Sequence, residues 1–124
     1  MKQNILVIDD EVDIAELVAE HLEAHYSVIT ATSMKDACEK ISKNKFDLIV
    51  TDLHLPDCRG ESSVSLLRQT QFAEPILLVT GEDEYDPCVI KALADGAQGL
   101  IKKPFNLDSV EASIFQTLQV KRAG

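Results

Sequence analysis

The chain has 124 residues and a formal net charge of −9, a length that fits one domain with a real hydrophobic core. The excess of acidic residues disfavours nucleic acid and anionic membrane surfaces as direct partners. Its three cysteines show no metal-binding spacing, and the chain has neither a signal-peptide core nor an apolar run of transmembrane length. We therefore expect a cytoplasmic protein.

Short apolar runs rich in β-branched residues alternate with amphipathic stretches along the chain. They predict strands at Asn4–Ile8, Ser27–Ala31, Phe46–Leu53, Pro75–Val79 and Gly99–Lys102. The third run is apolar almost throughout, as expected for a parallel strand buried on both faces. Strands that alternate with helices in this way imply an α/β fold with a parallel, doubly wound sheet.

The helices are predicted from capping residues and from apolar residues at helical spacing. The predicted N-caps are Asp13, Ser33, Asp86 and Asn106, and a further helix is expected at about Glu61–Arg68. The predicted buried positions are Ile14, Leu17, Val18, His21 and Leu22, then Met34, Ala37, Cys38 and Ile41, then Val64, Leu66 and Leu67, then Val89, Ile90, Leu93, Ala94 and Ala97, and finally Leu107, Val110, Ile114 and Leu118. We interpret His21 as a histidine at the margin between helix and sheet rather than a ligand, with His25 in the following turn.

Polar residues stand at the ends of four predicted strands: Asp9 and Asp10, Asp52, Thr80, and Lys103. The carboxyl ends of parallel strands meet at one edge of a sheet, where ligands bind. Carboxylates gathered there repel one another, and a divalent cation such as Mg²⁺ removes that repulsion. Asp52 is then the expected nucleophile for a phosphoryl group, whose oxygens the lysine and the threonine would bind.

The motifs taken together resemble the receiver domain of two-component response regulators. The matching pieces are Ile8-Asp9-Asp10-Glu11, Asp52 followed by Leu55-Pro56 and Gly60, Val79-Thr80-Gly81, Gly96-Ala97 and Lys103-Pro104-Phe105. The resemblance implies a flavodoxin-like sheet in the order 2-1-3-4-5, flanked by five helices. It also implies one receiver domain over residues 1–121, with residues 122–124 as a tail or the start of a linker.

The same resemblance implies a function. Asp52 would take a phosphoryl group from a phosphohistidine of a sensor histidine kinase or a histidine phosphotransfer protein, and an interaction surface would change. Mg²⁺, or another divalent ion such as Mn²⁺, would be held by Asp9, Asp10, Asp52 and the backbone carbonyl of His54. Such a chain is a phosphoacceptor rather than an enzyme, although it can catalyse its own phosphorylation and dephosphorylation.

Particular positions refine this picture. The family motif places its functional lysine directly before the proline, which selects Lys103 over Lys102, and it implies a cis bond between Lys103 and Pro104. Leu100 stands where the family often has an aromatic residue. His54 has two interpretations that the sequence leaves open: a solvated loop histidine, or a side chain that affects the lifetime of the phosphoryl group.

Other functions fit the sequence less well. The acidic residues could be mere caps and loop acids, but chance would not also supply Thr80 and Lys103 at matching strand ends. An aspartate-nucleophile phosphatase of the haloacid-dehalogenase type needs an acid two residues after the nucleophile, where this chain has His54. A nucleotide-binding domain needs a glycine-rich first turn. The output domain or target stays open, since the chain fits both a stand-alone receiver and the receiver of a longer regulator.

Overall fold

The computed structural model describes residues 2–58 and 62–123. Within these ranges the strands are β1 (Gln3–Ile8), β2 (Tyr26–Ala31), β3 (Leu48–Asp52), β4 (Ile76–Thr80) and β5 (Gly99–Lys102). The helices are α1 (Val12–Leu22), α2 (Met34–Lys43), α3 (Ser63–Gln69), α4 (Pro87–Ala94) and α5 (Leu107–Ala123). All strand pairs are parallel, in the order β2-β1-β3-β4-β5, which confirms the predicted flavodoxin-like sheet.

Helices cover both faces of the sheet, because successive residues of a strand point to opposite sides. In β1, Leu6 and Ile8 pack into a core with side chains of α2, α3 and α4. Ile5 and Val7 pack into a second core with side chains of α1 and α5. Both faces of the central strands are therefore apolar, which explains their continuous hydrophobic sequence.

Three of the predicted N-caps are confirmed. The side chain of Ser33 accepts a hydrogen bond from the third residue beyond it, at 3.0 Å, and so starts α2. Asp86 caps α4 with Pro87 as the first helical residue, and Asn106 starts α5 with a bond of 2.7 Å to the N–H of Ser109. The local sequence alone is sufficient to set these helix starts.

One predicted helix start is wrong. Helix α1 begins at Val12 with Glu11 as its N-cap, and no side chain caps it, so Asp13 lies inside the first turn. The reason is the preceding turn, in which Asp9 Oδ1 accepts the N–H of Glu11 at 2.9 Å and directs the chain into the helix early. Helix α3 begins at Ser63, with Ser62 as its cap; the predicted start at Glu61 lies outside the described residues.

Some predicted core positions on two helices are exposed. Leu17 of α1 is 49% exposed, and the small residues Ala15 and Ala19 take the buried places. On α4, Ile90 and Leu93 are 53% and 36% exposed, and Ala94 is also exposed. The buried residues of α4 are Val89 and Ala92. Ile90 and Leu93 each follow one of them and are therefore rotated about 100° around the helix axis, away from the sheet. Among the described helices, none is both long and apolar enough to cross a bilayer.

Candidate functional site

Three carboxylates converge where β1 and β3 end. These strands pair with Ile8 opposite Thr51, so the next residues, Asp9 and Asp52, stand side by side. Asp9, Asp10 and Asp52 can each place a carboxylate oxygen within 4.8 Å of the others. Asp9 and Asp52 are buried, with 5% and 9% exposure, whereas Asp10 is exposed. The acidic group is therefore a pocket with one side open to solvent.

Lys103 provides the positive charge in this pocket. Its Nζ lies 3.1 Å from Asp52 Oδ2 and 3.5 Å from Asp9 Oδ2. Burial alone lowers the pKa of Lys103, but the hydrogen bond to Asp52 and the charges of both carboxylates outweigh it, and the pKa is raised. Lys102 is exposed, and the bond between Lys103 and Pro104 is cis, as the resemblance implied. Of the two adjacent lysines, the structure thus brings Lys103 to the acids.

The charge of Lys103 does not fully offset the cost of ionising Asp9. Its pKa is raised, first by burial and further by the charge of Asp52, although the Glu11 N–H and Lys103 act in the opposite direction. A carboxyl group whose pKa is raised by folding lowers stability once the pH exceeds its unfolded pKa, because it is then ionised at a cost. A divalent cation bound by the carboxylates would reverse this effect.

Thr80 ends β4 and is buried, with 2% exposure. Its carbonyl accepts the N–H of Lys103 at 2.8 Å, so the backbone joins the two strand ends. Its Oγ1 accepts the N–H of Glu82 at 3.1 Å, and the same hydroxyl still carries a hydrogen that it can donate. A phosphoryl oxygen is a suitable acceptor for it.

His54 and Glu82 bridge the loops that follow β3 and β4. His54 Nε2 lies 2.9 Å from Glu82 Oε1, while the backbone N–H of His54 is 3.4 Å from Asp52 Oδ1. The side chain of His54 is therefore paired with an acid of the neighbouring loop, although it remains 60% exposed. The sequence analysis missed Glu82, although it follows Thr80 at the same distance as His54 follows Asp52. That matching position was an available signal.

Two further side chains fix the chain from Asp52 into the loop after β3, and both were also missed. Ser63 is fully buried, and its Oγ donates to the Asp52 carbonyl oxygen at 3.0 Å. Asp57 accepts the N–H groups of Met34 and Lys35, each at 2.9 Å, and so ties the loop after β3 to the start of α2. Sequence analysis cannot identify such pairs, because each joins elements that are distant along the chain.

Comparison with known proteins agrees with this geometry. A family model of the response regulator receiver domain matches residues 5–115, and the chain therefore belongs to that family. It is thus a receiver domain of the two-component systems, a class of signalling domains rather than of classical enzymes. The family assignment confirms the resemblance seen in the sequence.

The relatives place this kind of domain in different settings. The chain is 39% identical over 115 residues to the alkaline phosphatase synthesis transcriptional regulatory protein PhoP of Bacillus subtilis, covering 92% of the chain and 48% of PhoP. It is 32% identical over 124 residues to the hybrid signal transduction histidine kinase D of Dictyostelium discoideum, covering 98% of the chain and 8% of the kinase. The structure of the chemotaxis response regulator CheY4 of Vibrio cholerae superposes with a TM-score of 0.82 at 30% identity, covering 94% and 99% of the two chains. The chain thus spans about half or less of these two sequence relatives, but nearly all of CheY4.

Proposed function

We propose that this chain accepts a phosphoryl group on Asp52 from a phosphohistidine of a sensor histidine kinase or a histidine phosphotransfer protein. The observation that carries the proposal is the position of Lys103 Nζ, 3.1 Å from Asp52 Oδ2 within a group of three carboxylates. Phosphoryl transfer mainly requires alignment and neutralisation of charge, which a carboxylate nucleophile beside a cation provides.

In the transfer step, an Asp52 carboxylate oxygen forms a bond to phosphorus while the bond from phosphorus to the donor imidazole breaks. The imidazole takes up a proton as it leaves. Lys103 neutralises Asp52 before the transfer and a phosphoryl oxygen after it, and Thr80 donates its hydroxyl hydrogen to another oxygen. In dephosphorylation, a water oxygen forms a bond to phosphorus while the bond from phosphorus to the Asp52 oxygen breaks, which releases inorganic phosphate and restores the carboxylate. The same groups serve this step, so the domain takes part in its own dephosphorylation.

A divalent cation fits the donor set. Asp9, Asp10 and Asp52 offer the hard oxygen ligands that Mg²⁺ prefers, and Mn²⁺ accepts the same set. The backbone carbonyl of His54 is the proposed fourth protein ligand. When bound, the ion would supply positive charge at the phosphoryl oxygens. It would also offset both the burial that mainly raises the pKa of Asp9 and the repulsion from Asp52 that adds to it.

We further propose that residues 1–121 form the receiver domain and that it acts in the cytoplasm. Receiver domains interact with histidine kinases and with output domains or target proteins, and the net charge of −9 favours protein partners over nucleic acid for this part of the chain. An aspartate-nucleophile phosphatase is not supported, because the position two residues after Asp52 is a histidine paired with Glu82.

A small-molecule phosphodonor tests the acceptor directly. With acetyl phosphate and Mg²⁺, mass spectrometry should find one acid-labile phosphoryl group on the parent and none on Asp52→Asn. Lys103→Ala should lose most of the stable adduct, whereas the matched control Lys102→Ala should keep it, because only Lys103 contacts the acids. The same adduct on Asp52→Asn, or equal losses in both lysine variants, would refute the assignment.

A second experiment tests Thr80 as the link to the surface. Beryllofluoride, which imitates the phosphoryl group on an aspartate, should shift backbone NMR signals of the loop after β4 and of α4 in the parent. Thr80→Ala should still bind beryllofluoride but show much smaller shifts in α4, since the hydroxyl is what draws the loop toward the new acceptor. Equally large α4 shifts in both proteins would show that the threonine does not carry the signal.

A further inference from the structure

A second group of metal-ligating side chains lies where the end of α1 meets the start of α5. His21 Nε2 is 3.4 Å from Asp108 Oδ1 and 3.2 Å from Glu111 Oε1. His25 lies in the turn after α1, as predicted, and its Nε2 is 3.9 Å from the other oxygen of Glu111. The interpretation of His21 as a margin histidine therefore overlooked two acidic partners. The sequence also places a second histidine, His25, only four residues further along the chain.

His21 Nε2 lies close to both acids without forming a hydrogen bond to either in the described part of the chain. A charged N–H···O bond is usually about 2.7–2.9 Å long, and His21 Nε2 is shielded from water without forming any hydrogen bond within the described part of the chain. Ligands around a tetrahedral zinc ion, with bonds of about 2.0–2.2 Å, lie about 3.3–3.5 Å apart. The 3.4 Å distance from His21 to Asp108 lies in this range, and the 3.2 Å distance to Glu111 lies just below it. The nitrogen is thus close enough to both carboxylates to share a cation with them.

We propose that His21, Asp108 and Glu111 form a second cation site, which takes Zn²⁺ or a similar transition-metal ion. Three protein ligands leave the fourth position of a tetrahedral ion to water. Imidazole nitrogen selects zinc, cobalt or nickel over magnesium, which prefers oxygen alone. Two carboxylates and a neutral imidazole balance a charge of 2+ at this site. Asp108 is 93% exposed, so its side chain is free to turn toward the ion, while His21 and Glu111 are only 29% exposed and already in place.

The site would join the ends of two helices, α1 and α5. Asp108 lies in the first turn of α5, and His21 lies in the last turn of α1. A bound ion would fix these helix ends to each other on the side of the sheet away from α4. Because the ligands come together only in the folded protein, binding should raise the unfolding temperature.

Metal titration in an Asp10→Ala background tests the site, because that change disables the acidic pocket. We expect one Zn²⁺ or Co²⁺ per chain by calorimetry, and visible Co²⁺ absorption bands of a tetrahedral site with nitrogen and oxygen ligands. His21→Gln and Glu111→Gln should each weaken binding by about 100-fold or more, since even the loss of an outer partner of a metal ligand costs about 10–100-fold. Phosphorylation of Asp52 in an otherwise unchanged His21→Gln chain should match the parent, which shows that this variant folds.

The matched controls are His54→Gln and Glu84→Gln, which remove an imidazole and an exposed carboxylate elsewhere in the same background. Both should retain the parent affinity. Unchanged affinity in His21→Gln and Glu111→Gln would overturn the proposal. So would the absence of stoichiometric binding, or an intense thiolate charge-transfer band that assigns the metal to a cysteine.

Discussion

The helices α4 and α5 lie on opposite faces of the edge strand β5, but they are held in different ways. Helix α5 has 17 residues and buries the large side chains of Val110, Ile114 and Leu118. Helix α4 has 8 residues and buries only Val89 and Ala92. A fully buried large aliphatic side chain contributes about 1.5–3 kcal/mol. The sheet therefore holds α5 much more strongly than α4.

The exposed side of α4 extends this contrast. Ile90 and Leu93 project from it with 53% and 36% exposure. The helix also follows directly on the loop that begins at Thr80, the residue proposed to respond to the phosphoryl group. An element with few buried contacts, next to the site, is the one that can shift at low cost. On the proposed function, we therefore expect a signal from Asp52 to change the surface of α4 and to leave α5 in place.

The largest expected effect is a difference in unfolding free energy between matched substitutions on the two helices. Ile114→Ala should lower the free energy of unfolding by about 2–5 kcal/mol, because it leaves a cavity at a fully buried position. The matched substitution Ile90→Ala on α4 should change it by no more than about 0.5 kcal/mol, since that side chain is half exposed. Urea unfolding measures both values. Similar losses in the two variants would contradict the difference in packing.

A smaller effect is expected at the polar tether of α4. Arg68 of α3 donates to the carbonyl oxygens of Gly96, Phe72 and Glu74, each at 2.8 Å, and so holds the chain just after α4. Burial lowers the pKa of its guanidinium, yet the group stays charged. Arg68→Met should cost about 1.5–3 kcal/mol, the value of a hydrogen bond to a charged group, since water can replace part of this network.

Hydrogen exchange can locate that loss. In Arg68→Met the amides of α4 and of Ala97 should exchange faster beyond the global change, while the amides of α5 should follow global unfolding only. The control Lys45→Met removes an exposed basic residue and should alter neither helix. If α5 loosened as much as α4, Arg68 would be a general stabiliser rather than the tether of one helix.

Much of this architecture could be predicted because its signals are local. The apolar β-branched runs identify the strands, and the strand ends follow from them, so Asp9, Asp52 and Lys103 could be placed together before any contact was known. Caps such as Ser33 and Asn106 act within three residues of themselves and were read correctly. These features need only the chain direction and the parallel sheet.

The features that were missed depend on packing between distant elements. Ile90 and Leu93 have the apolar character of core residues, but their burial depends on which face of α4 meets the sheet. Ser63 bonds to the end of β3, and Glu82 pairs with the loop after β3. His21 lies beside acids of α5. Helical periodicity gives the spacing of a stripe but not its rotation toward the core, and it contains no information on contacts between elements.

The smallest expected effect concerns α2, whose first residues are held by Asp57 in the loop after β3. Asp57 binds the N–H groups of Met34 and Lys35, and the pKa of Asp57 is lowered from 3.8, first by the Met34 N–H, with burial acting in the opposite direction. Unlike α4, this helix is thus held at its start by the loop that follows Asp52. Asp57→Ala should cost about 1 kcal/mol at neutral pH, the usual value for a lost cap.

The pH dependence distinguishes charge from shape at Asp57. Because folding lowers this pKa, the carboxylate stabilises the protein fully above its unfolded pKa, and the contribution is lost as the pH falls through the folded pKa, below 3.8. Asp57→Asn retains one acceptor but no charge, so its stability should lie between those of the parent and Asp57→Ala at neutral pH. The gap between the parent and Asp57→Asn should then close toward low pH. A gap that stayed constant in urea unfolding, or a carboxyl NMR titration with a midpoint at or above 3.8, would show that the charge of Asp57 does not hold the loop to α2.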